Sequence, residues 1–432
     1  MKKIVTDIKN HIYLYESDIK LKKVKKNIEG LVVRVYKDKV FSKYLGFGGA
    51  ITESSAYNYS LLSDDIKKDF INAYFSKEGL NYKYGRISIG SCDFSLKSYE
   101  YSKKKDLRDF SISHDNEYII PLLKDIYNIK DIDLLASPWS PPKMYKNSLF
   151  LILGGKLKKK YYSNYAKYLK LFIDEYKRLG FNIKYLTIQN EPLAIQIWES
   201  CIFNLEEQKD FIYNYMVKEL NDIDTSILLW DHNKEDLYHV CNYLYENNEK
   251  VKGIAFHWYS GSHFNNLNMI KQDYPNMLLV NSETCCGYSL YNEQEWVNDA
   301  INYITDIISD INNGLNIYFD WNILLDYNGG PNHKKNYCKS PIILNEEKNN
   351  FIKTPIYYYL YHITRLEENS DIIYNSSYAK ELLIVSSKKD NKMIITILNP
   401  TDRDFEYNLI IDDLYVKDII HSKNIITYEK DI

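Results

Sequence analysis

Two glutamates stand out among the residues that could do chemistry, because each follows a short apolar run and lies among amide and aromatic side chains. Glu191 ends the segment IKYLTIQNE, and Glu283 ends the segment LLVNSE. Paired carboxyl groups hydrolyse glycosidic bonds, since one protonates the leaving oxygen while the other meets the developing oxocarbenium centre. Most glutamates of a protein form ion pairs or helix caps instead, but these two do not lie in solvated charge runs. We therefore predict that they form a catalytic pair.

Other polar and aromatic residues follow further apolar runs, where an α/β barrel assembles its active site. They are Arg86, Asp93, Trp139, Asn190, His257, Trp258, Tyr259, Trp321 and Asn322. Aromatic rings stack on the apolar faces of a pyranose, and amides bind its hydroxyl groups. This set predicts a sugar-binding site, although His257 could equally be a buried core histidine with satisfied hydrogen bonds.

The elements that must position these residues follow from the rhythm of the chain. Short β-branched or apolar runs alternate with longer amphipathic stretches, which is typical of βα units and a parallel sheet. The eight candidate strands lie at 45–51, 84–90, 133–139, 183–191, 227–230, 253–258, 278–283 and 315–322. One helix between them shows an apolar stripe from Tyr165 to Tyr176 and ends at Gly180. The pattern predicts a (β/α)8 TIM barrel over residues 45–355.

Both ends of the chain are strand-like instead. Residues 1–44 include the alternating segment LVVRVY, and residues 356–432 include KELLIVSS, KMIITILN and EYNLIIDDL. We predict that the two terminal segments together form one accessory all-β sandwich domain.

Composition excludes several classes of protein. The 432 residues carry a net charge of −3, which argues against a nucleic-acid partner and favours a neutral substrate. The apolar runs are shorter than the roughly 18 residues that a membrane span needs, so we predict no integral membrane segment. Six cysteines without CxxC spacing and the polar residues after Lys3 favour a cytoplasmic protein.

Motifs for metals and cofactors give no match. The nine histidines lack ligand spacing, so we predict no metal and no cofactor. The segment GFGGAI resembles half of a dinucleotide fingerprint, but Ile51 occupies the last glycine position, so its glycines predict a tight turn at a strand end. Cys285 and Cys286 could form a reactive vicinal pair, although small buried side chains beside a barrel strand are the simpler interpretation. The oligomeric state stays open.

Seven segments between Gly46 and Asn332 resemble glycoside hydrolase family 30, particularly its glucosylceramidase-like branch, and the resemblance runs in order from about residue 30 to the C-terminus. They are GFGGAITE, SCDFS, LLASPWSPP, QNEP, HWY, NSETCCG and DWNILLDYNGGPN. The resemblance implies a retaining β-glycosidase with Glu191 as general acid/base and Glu283 as nucleophile. The implied substrate-binding residues are Asp93, Trp139, Asn190, His257, Tyr259, Trp321 and Asn336, with Arg86 in support. Among them, Tyr259 is expected to orient Glu283.

The expected reaction is a double displacement, in which Glu283 attacks the anomeric carbon while Glu191 protonates the leaving oxygen and later activates water. It requires a raised pKa for Glu191. A glucosylceramidase-like β-glucosidase is the preferred reading, and the substrate could be a small glycoside, an oligosaccharide or a glycolipid. β-1,6-Glucanase and β-xylosidase specificities stay open on the same site. A catalytically silent carbohydrate-binding protein is the alternative from another class.

Overall fold

Four strands open the chain in the computed structural model, which describes residues 1–24 and 28–432. They are β1 (Lys2–Asp7), β2 (Ile12–Asp18), β3 (Lys22–Lys23) and β4 (Leu31–Tyr44). Eight parallel strands then close into a barrel in sequence order, with the last strand paired to the first. These are β5 (Gly46–Ala50), β6 (Tyr84–Ile89), β7 (Asp133–Pro138), β8 (Asn182–Leu186), β9 (Ser226–Asn233), β10 (Val251–His257), β11 (Leu278–Glu283) and β12 (Ile317–Asp320). The predicted TIM barrel is confirmed, and all eight predicted strands contribute to it.

Helices connect the barrel strands and cover their outer face. They are α1 (Glu53–Ser60), α2 (Asp64–Phe75), α3 (Ile119–Tyr127), α4 (Tyr162–Arg178), α5 (Leu205–Phe211), α6 (Val217–Glu219), α7 (Leu237–Leu244), α8 (Asn265–Asp273), α9 (Glu293–Asn312) and α10 (Pro355–Thr364). A π-helical segment, Ile212–Met216, joins α5 to α6, and short 3-10 turns occupy Ile8–Asn10, Ser113–Asn116, Lys143–Tyr145 and Lys159–Tyr161. Among the described residues, no helix combines the length and the apolar character that crossing a bilayer needs.

Helix α4 shows how sequence pattern becomes packing. Its buried stripe contains the predicted residues Tyr165, Leu169, Phe172, Ile173 and Tyr176. Side chains three and four residues apart lie on one face of a helix, so this stripe packs on the barrel wall. Gly180 follows the helix with φ +91°, a conformation that costs glycine little.

The glycines of GFGGAI lie within strand β5, so the predicted strand-end turn is wrong. A Cβ atom on Gly48 would lie 2.4 Å from the backbone oxygen of Tyr84, and one on Gly49 would lie 2.3 Å from Oδ1 of Asp320. Residues of the adjacent strands β6 and β12 therefore lie so close to β5 that no side chain fits at these two positions. Glycine is needed here for space at the barrel closure.

A second, mostly antiparallel sheet contains strands from both termini. After the hairpin of β13 (Ile342–Leu344) and β14 (Phe351–Lys353), the chain adds β15 (Ser370–Ser377), β16 (Leu383–Lys389), β17 (Lys392–Leu398), β18 (Phe405–Ile411), β19 (Leu414–Ile420) and β20 (Ile425–Asp431). The order in this sheet is β2-β1-β20-β17-β16-β15-β4-β18-β19-β3. Four strands separate β18 from β20, yet the hydroxyl groups of Tyr407 and Tyr428 are hydrogen-bonded. The sheet therefore curls around its own apolar core, and the accessory all-β unit built from both termini is confirmed.

Helix α10 joins the barrel to the terminal sheet through a buried histidine. Both ring nitrogens of His362 lie 2.9 Å from threonine hydroxyl groups, Nε2 from that of Thr6 on β1 and Nδ1 from that of Thr427 on β20. Burial, with a smaller contribution from Arg365, lowers the pKa of His362 to about 3. The folded protein therefore holds this imidazole neutral.

The neutral histidine makes the stability depend on pH in a defined direction. An unfolded histidine titrates near 6.5, so below that pH the unfolded state binds a proton that folded His362 excludes. We expect wild type to lose up to about 1.4 kcal/mol of unfolding free energy per pH unit below about 6.5 beyond the loss in His362→Gln. Urea unfolding at pH 7, 6 and 5 measures this difference. The exposed His239→Gln is the matched control, and equal slopes in wild type and His362→Gln would contradict the assignment.

Candidate active site

The barrel interior carries an apolar layer beneath a polar layer, because alternate residues of a strand point to the same side. The apolar layer is made of Tyr84, Leu135, Tyr185, Leu228, Ala255, Val280, Ile317 and Phe319. Two residues further along five of these strands lie Arg86, Ser137, Thr187, His257 and Ser282, all fully buried. Asp231 joins this layer from β9, where Trp230 and Asp231 both have φ +72° and shift the alternation by one residue.

Asp231 is the residue on which the polar layer converges. Its carboxylate accepts hydrogen bonds from Thr187 and Ser282 at 2.6 Å, from Arg86 Nη2 at 3.1 Å and from His257 Nε2 at 3.2 Å. Burial by itself raises the pKa of Asp231, but Arg86 and His257 lower it well below its ordinary value. The group is therefore a permanent buried anion.

Arg86 carries this anchoring to the predicted nucleophile. Its Nη1 donates to Oε2 of Glu283 at 2.5 Å, and its Nη2 donates to Oδ1 of Asn190 at 2.8 Å. The Tyr259 hydroxyl donates to the other oxygen, Oε1, of Glu283 at 3.0 Å. Both oxygens of Glu283 are thus held by donors, as expected for a carboxylate with a fixed direction of attack.

Glu191 lies in a sharp backbone turn and lines the same cavity as Glu283. Its φ is +46°, uncommon for a residue with a side chain, and its N–H donates to the Asp231 carbonyl oxygen at 2.9 Å. Oε1 of Glu191 lies 3.5 Å from His257 Nδ1, and Gln196 Nε2 donates to Oε2 at 3.4 Å. The strained turn therefore aims this carboxyl group at His257 and the cavity.

The proton of this pair resides on His257. Burial raises the pKa of Glu191, but the hydrogen bond and positive charge of His257 outweigh burial and lower it. Burial lowers the pKa of His257, but Glu283, Asp231 and Glu191 together raise it to about 9. The expected raised pKa of Glu191 is therefore wrong for the protein without substrate. His257, which is in direct contact with Glu191, nevertheless holds a proton.

Both glutamates face one cavity of about 420 Å³ at the carboxyl ends of the barrel strands. Trp139 and Trp321 stack there with ring centroids 5.3 Å apart, and Arg86 lies 4.9 Å from the Trp139 ring. Asn336 donates to Asp93 at 3.0 Å. Burial and the charge of Glu283 raise the pKa of Asp93 to about 7, against the opposing hydrogen bond from Asn336. These groups form a concave polar and aromatic wall of the size of a sugar ring.

The structure brings most of the predicted site residues to this cavity. Those that line it are Asp93, Trp139, Asn190, Glu191, Tyr259, Glu283, Trp321 and Asn336. His257 and Arg86 are fully buried behind the wall and act through the carboxyl groups they contact. The sequence reading missed Asp231, because the predicted strand ended at Trp230, although its place directly after an apolar run was a usable signal. It also missed the lining residues Gln196, Trp198, His232, Tyr337 and Cys338.

Comparison with known families decides the class of this barrel. Residues 44–366 match the model described as the glycosyl hydrolase family 30 TIM-barrel domain. The chain belongs to glycosyl hydrolase family 30. This family 30 chain is therefore a glycoside hydrolase, and its two cavity glutamates lie in a barrel built for that class of reaction.

Individual relatives of this family 30 protein are named for more than one activity. It is 31% identical to putative glucosylceramidase 3 of Caenorhabditis elegans over 351 residues, 75% of this chain and 67% of the relative. It is 29% identical to mouse lysosomal acid glucosylceramidase over 414 residues, 89% and 80% of the two chains. An endo-1,6-β-D-glucanase of Aspergillus fumigatus is 28% identical over 240 residues, 50% and 49% of the two chains. The crystal structure of SrfJ from Salmonella typhimurium superposes with a TM-score of 0.95 at 27% identity, covering 100% and 99%.

The shared proton of Glu191 and His257 generates a prediction for the pH dependence of this family 30 enzyme. In wild type, Glu191 can obtain a proton from His257 until that histidine itself deprotonates, with a pKa of about 9. In His257→Gln only the carboxyl group of Glu191 can hold it, so we expect the alkaline limb of kcat/KM to move down by at least about one pH unit. Hydrolysis of an aryl glucoside with a poor leaving group, followed between pH 4 and 10, measures the limb.

The matched control is His232→Gln, because His232 Nδ1 lies 3.9 Å from Glu191 and outside the Asp231 network. We expect a smaller displacement of the limb in that variant. An alkaline limb that stays in place in His257→Gln would contradict proton storage on the histidine.

Proposed function

We propose that this family 30 enzyme is a retaining β-glucosidase whose preferred substrate carries an apolar, lipid-like aglycone of the glucosylceramide type. Glu283 is the proposed nucleophile and Glu191 the proposed acid/base. The observation that carries the choice of aglycone is an exposed apolar rim beside Glu191.

The proposed first step uses the proton stored on His257. Glu283 attacks the anomeric carbon and becomes an uncharged ester, so the negative charge that helps to hold the proton on His257 disappears. The proton passes from His257 Nδ1 to Glu191 and on to the glycosidic oxygen as the aglycone leaves. Glu191 is then a carboxylate, ready to take a proton from the water that releases the sugar.

The sugar itself is assigned to the tryptophan and amide wall of the cavity. Trp139 and Trp321 stack on each other and line this wall with only 2% and 3% of their surface exposed, while Asp93, Asn190 and Asn336 offer oxygens and amides to the hydroxyl groups of a sugar. The pKa of about 7 lets Asp93 accept or donate a hydrogen bond near neutrality. The wall therefore supports recognition of one neutral sugar ring.

The rim follows Glu191 directly in the chain and alternates in direction. Even positions Ala194, Gln196 and Trp198 line the cavity. Odd positions between them point to solvent, with Ile195 exposed at 66% and its neighbours Leu193 and Ile197 also exposed. Exposed and partly buried side chains thus alternate along this segment, so one short stretch both lines the site and presents an apolar edge.

A second loop extends this apolar edge. The segment after β7 exposes Leu149, Leu153 and Phe150, the last at 63%. Leu153 N–H donates to the Gln196 carbonyl oxygen at 2.9 Å, and a Cβ atom on Gly154 would lie 3.1 Å from Ile195. The two loops thus lie side by side, and we name Leu149, Phe150, Leu153, Leu193, Ile195 and Ile197 the apolar rim.

Buried Lys146 holds the two loops together. Its Nζ donates to the Leu151 carbonyl oxygen at 3.1 Å, to the Ser200 carbonyl oxygen at 2.7 Å and to the Ser140 hydroxyl at 2.9 Å. The ammonium group spans both loops from behind, so the apolar residues are displayed on an anchored support. Exposed apolar patches of this kind mark binding surfaces.

The position of the rim connects it to the aglycone. A general acid must touch the glycosidic oxygen, so the leaving group departs on the side of Glu191. The apolar rim lies on that side, where a further sugar would need polar partners and a hydrocarbon chain would not. An apolar aglycone therefore fits this rim better than a β-1,6-glucan or a xylan.

Replacing either glutamate tests the catalytic assignment. We expect Glu283→Ala and Glu191→Ala to lose more than about 10⁴-fold in kcat/KM on alkyl glucosides. With an activated aryl glucoside, added azide should restore turnover in both, yielding the β-glucosyl azide with Glu191→Ala and the α-glucosyl azide with Glu283→Ala, because azide enters from opposite faces of the ring. NMR of the products reads the configuration.

Glu199→Gln, a buried glutamate outside the cavity, is the comparison variant for general loss of folding. A panel of glucosylceramide, gentio-oligosaccharides and aryl xylosides identifies the substrate. Wild type inert on all of these, or the same azide configuration from both alanine variants, would overturn the assignment.

Polar substitution of the rim tests the aglycone. We expect Ile195→Asn combined with Ile197→Asn to lower kcat/KM for glucosylceramide in mixed micelles by about tenfold or more, because roughly 1.5–3 kcal/mol of apolar burial per side chain is lost. Turnover of a soluble aryl glucoside should change little. Ile129→Asn, exposed at the end of α3 and away from the cavity, is the matched control. Equal losses on both substrates would contradict a lipid-binding rim.

A further inference from the structure

Two thiols meet in the wall of the catalytic cavity. Sγ of Cys285 lies 3.3 Å from Sγ of Cys338, and both residues line the cavity while remaining largely buried. They come from distant loops, 53 positions apart in the chain. The Tyr259 hydroxyl lies 3.3 Å from Cys285 Sγ and also donates to the nucleophile Glu283. The thiol pair is therefore one contact away from the group that orients the nucleophile.

The backbones around the two thiols are already paired. Gly287 and Cys338 form an antiparallel bridge, and Lys339 N–H donates to the Cys286 carbonyl oxygen at 2.9 Å. A disulfide has a sulfur–sulfur distance of about 2.05 Å, so the thiols need to close by little more than 1 Å. Side-chain rotation supplies such a shift, whereas the hydrogen-bonded backbones hold the two residues in register.

Cys286 does not compete for this pairing. It packs against the large core of the barrel and helices, while Cys285 and Cys338 belong to a separate cluster with Trp139 and Trp321. The vicinal pair considered from the sequence is thus divided between two environments. The structure replaces it with a pair formed across two loops.

We propose that Cys285 and Cys338 are an oxidation site at which a peroxide forms a disulfide that slows the enzyme. The thiolate of Cys285 attacks the peroxide, its sulfur takes one oxygen to become a sulfenic acid, and water leaves. The thiol of Cys338 then attacks that sulfur and expels a second water. Two thiols and one hydrogen peroxide thus give one disulfide and two waters, and a dithiol reductant reverses the change.

The order of the two steps follows from the environment of Cys338. The hydrogen bond with Cys285 and burial raise the pKa of Cys338 well above its ordinary value. We therefore assign the first attack to Cys285 and the resolving step to Cys338.

The expected loss of activity follows from the contact with Tyr259. Closing the disulfide draws Cys285 Sγ toward Cys338 and so changes its 3.3 Å contact with the Tyr259 hydroxyl. The hydrogen bond from Tyr259 to Glu283 then changes its geometry. The loop that carries Cys338 and Asn336 is also fixed against Gly287. A displacement of about 1 Å in a catalytic group can cost about 10²-fold in rate.

The test treats the full-length protein with hydrogen peroxide and reads two quantities separately. Mass spectrometry of an unreduced digest detects a Cys285–Cys338 peptide lighter by two hydrogens than the sum of its parts. Aryl glucoside turnover measures activity as a fraction of the untreated value of each variant. We expect the cross-linked fraction and the lost activity to rise together in wild type, and dithiothreitol to restore both. The effect on turnover rests on the proposed function, whereas the cross-link is read by mass in an active or an inactive protein.

Three variants complete the test. Cys285→Ser and Cys285→Val remove the attacking thiol with a polar and an apolar side chain, so that loss of folding in one leaves the other for the test, and both should resist reversible inactivation. Cys241→Ser, a buried cysteine on α7, should behave as wild type. The proposal is overturned if peroxide yields no Cys285–Cys338 peptide, if the peptide forms without loss of turnover, or if both Cys285 variants are inactivated reversibly like wild type.

Discussion

The buried ion pair of Asp231 and Arg86 is the interaction on which the site depends. Both side chains are fully buried, so each has lost its hydration and is stabilised by the other and by a second charged neighbour, Glu283 beside Arg86 and His257 beside Asp231. Removing one partner of such a pair costs about 3–5 kcal/mol, because an uncompensated charge remains in the interior. That pairing gives the barrel little net stability over apolar packing. The pair instead fixes the orientation of the catalytic side chains. Arg86 positions Glu283, and Asp231 positions His257, which contacts Glu191.

Charge balance in the cavity explains why the proton rests on a histidine. Asp231, Glu283 and Glu191 are three anions around two cations, Arg86 and protonated His257. With the proton on His257, each cation lies between two anions, Arg86 between Asp231 and Glu283, and His257 between Asp231 and Glu191. Moving that proton to Glu191 leaves Asp231 with a single cationic partner. In the free protein the proton therefore stays on His257. When Glu283 loses its charge during attack, one of the interactions that hold the proton on His257 disappears.

The sequence predicted the frame well because the frame obeys local rules. All eight barrel strands and the stripe of α4 come from periodicity, and the order of strand ends brought Glu191 and Glu283 to one side of the barrel. Asp231 was not predicted, because an aspartate after a short apolar run resembles a turn residue. Its role depends on contact with Arg86, which lies 145 positions earlier in the chain. The lowered pKa of Glu191 was likewise invisible, since it depends on His257, which arrives from another strand. Domain boundaries at 44 and 355 stay predictions, and α10 begins at Pro355, beside the second of them.

The cavity divides into two halves that are built differently, and this division separates chemistry from specificity. The wall that carries the two glutamates rises from strand ends above a packed polar layer, where Arg86 contacts Glu283 and His257 contacts Glu191, so substitutions in that layer disturb buried charges. The aglycone side of the cavity is formed by loops, where Leu193, Ile195 and Ile197 point to solvent and make no contribution to the core. A loop position of this kind can be exchanged at small cost in stability. Relatives named as a glucosylceramidase and as a glucanase can therefore share one catalytic wall. The rim is the part of the cavity that we expect to determine the substrate of this chain.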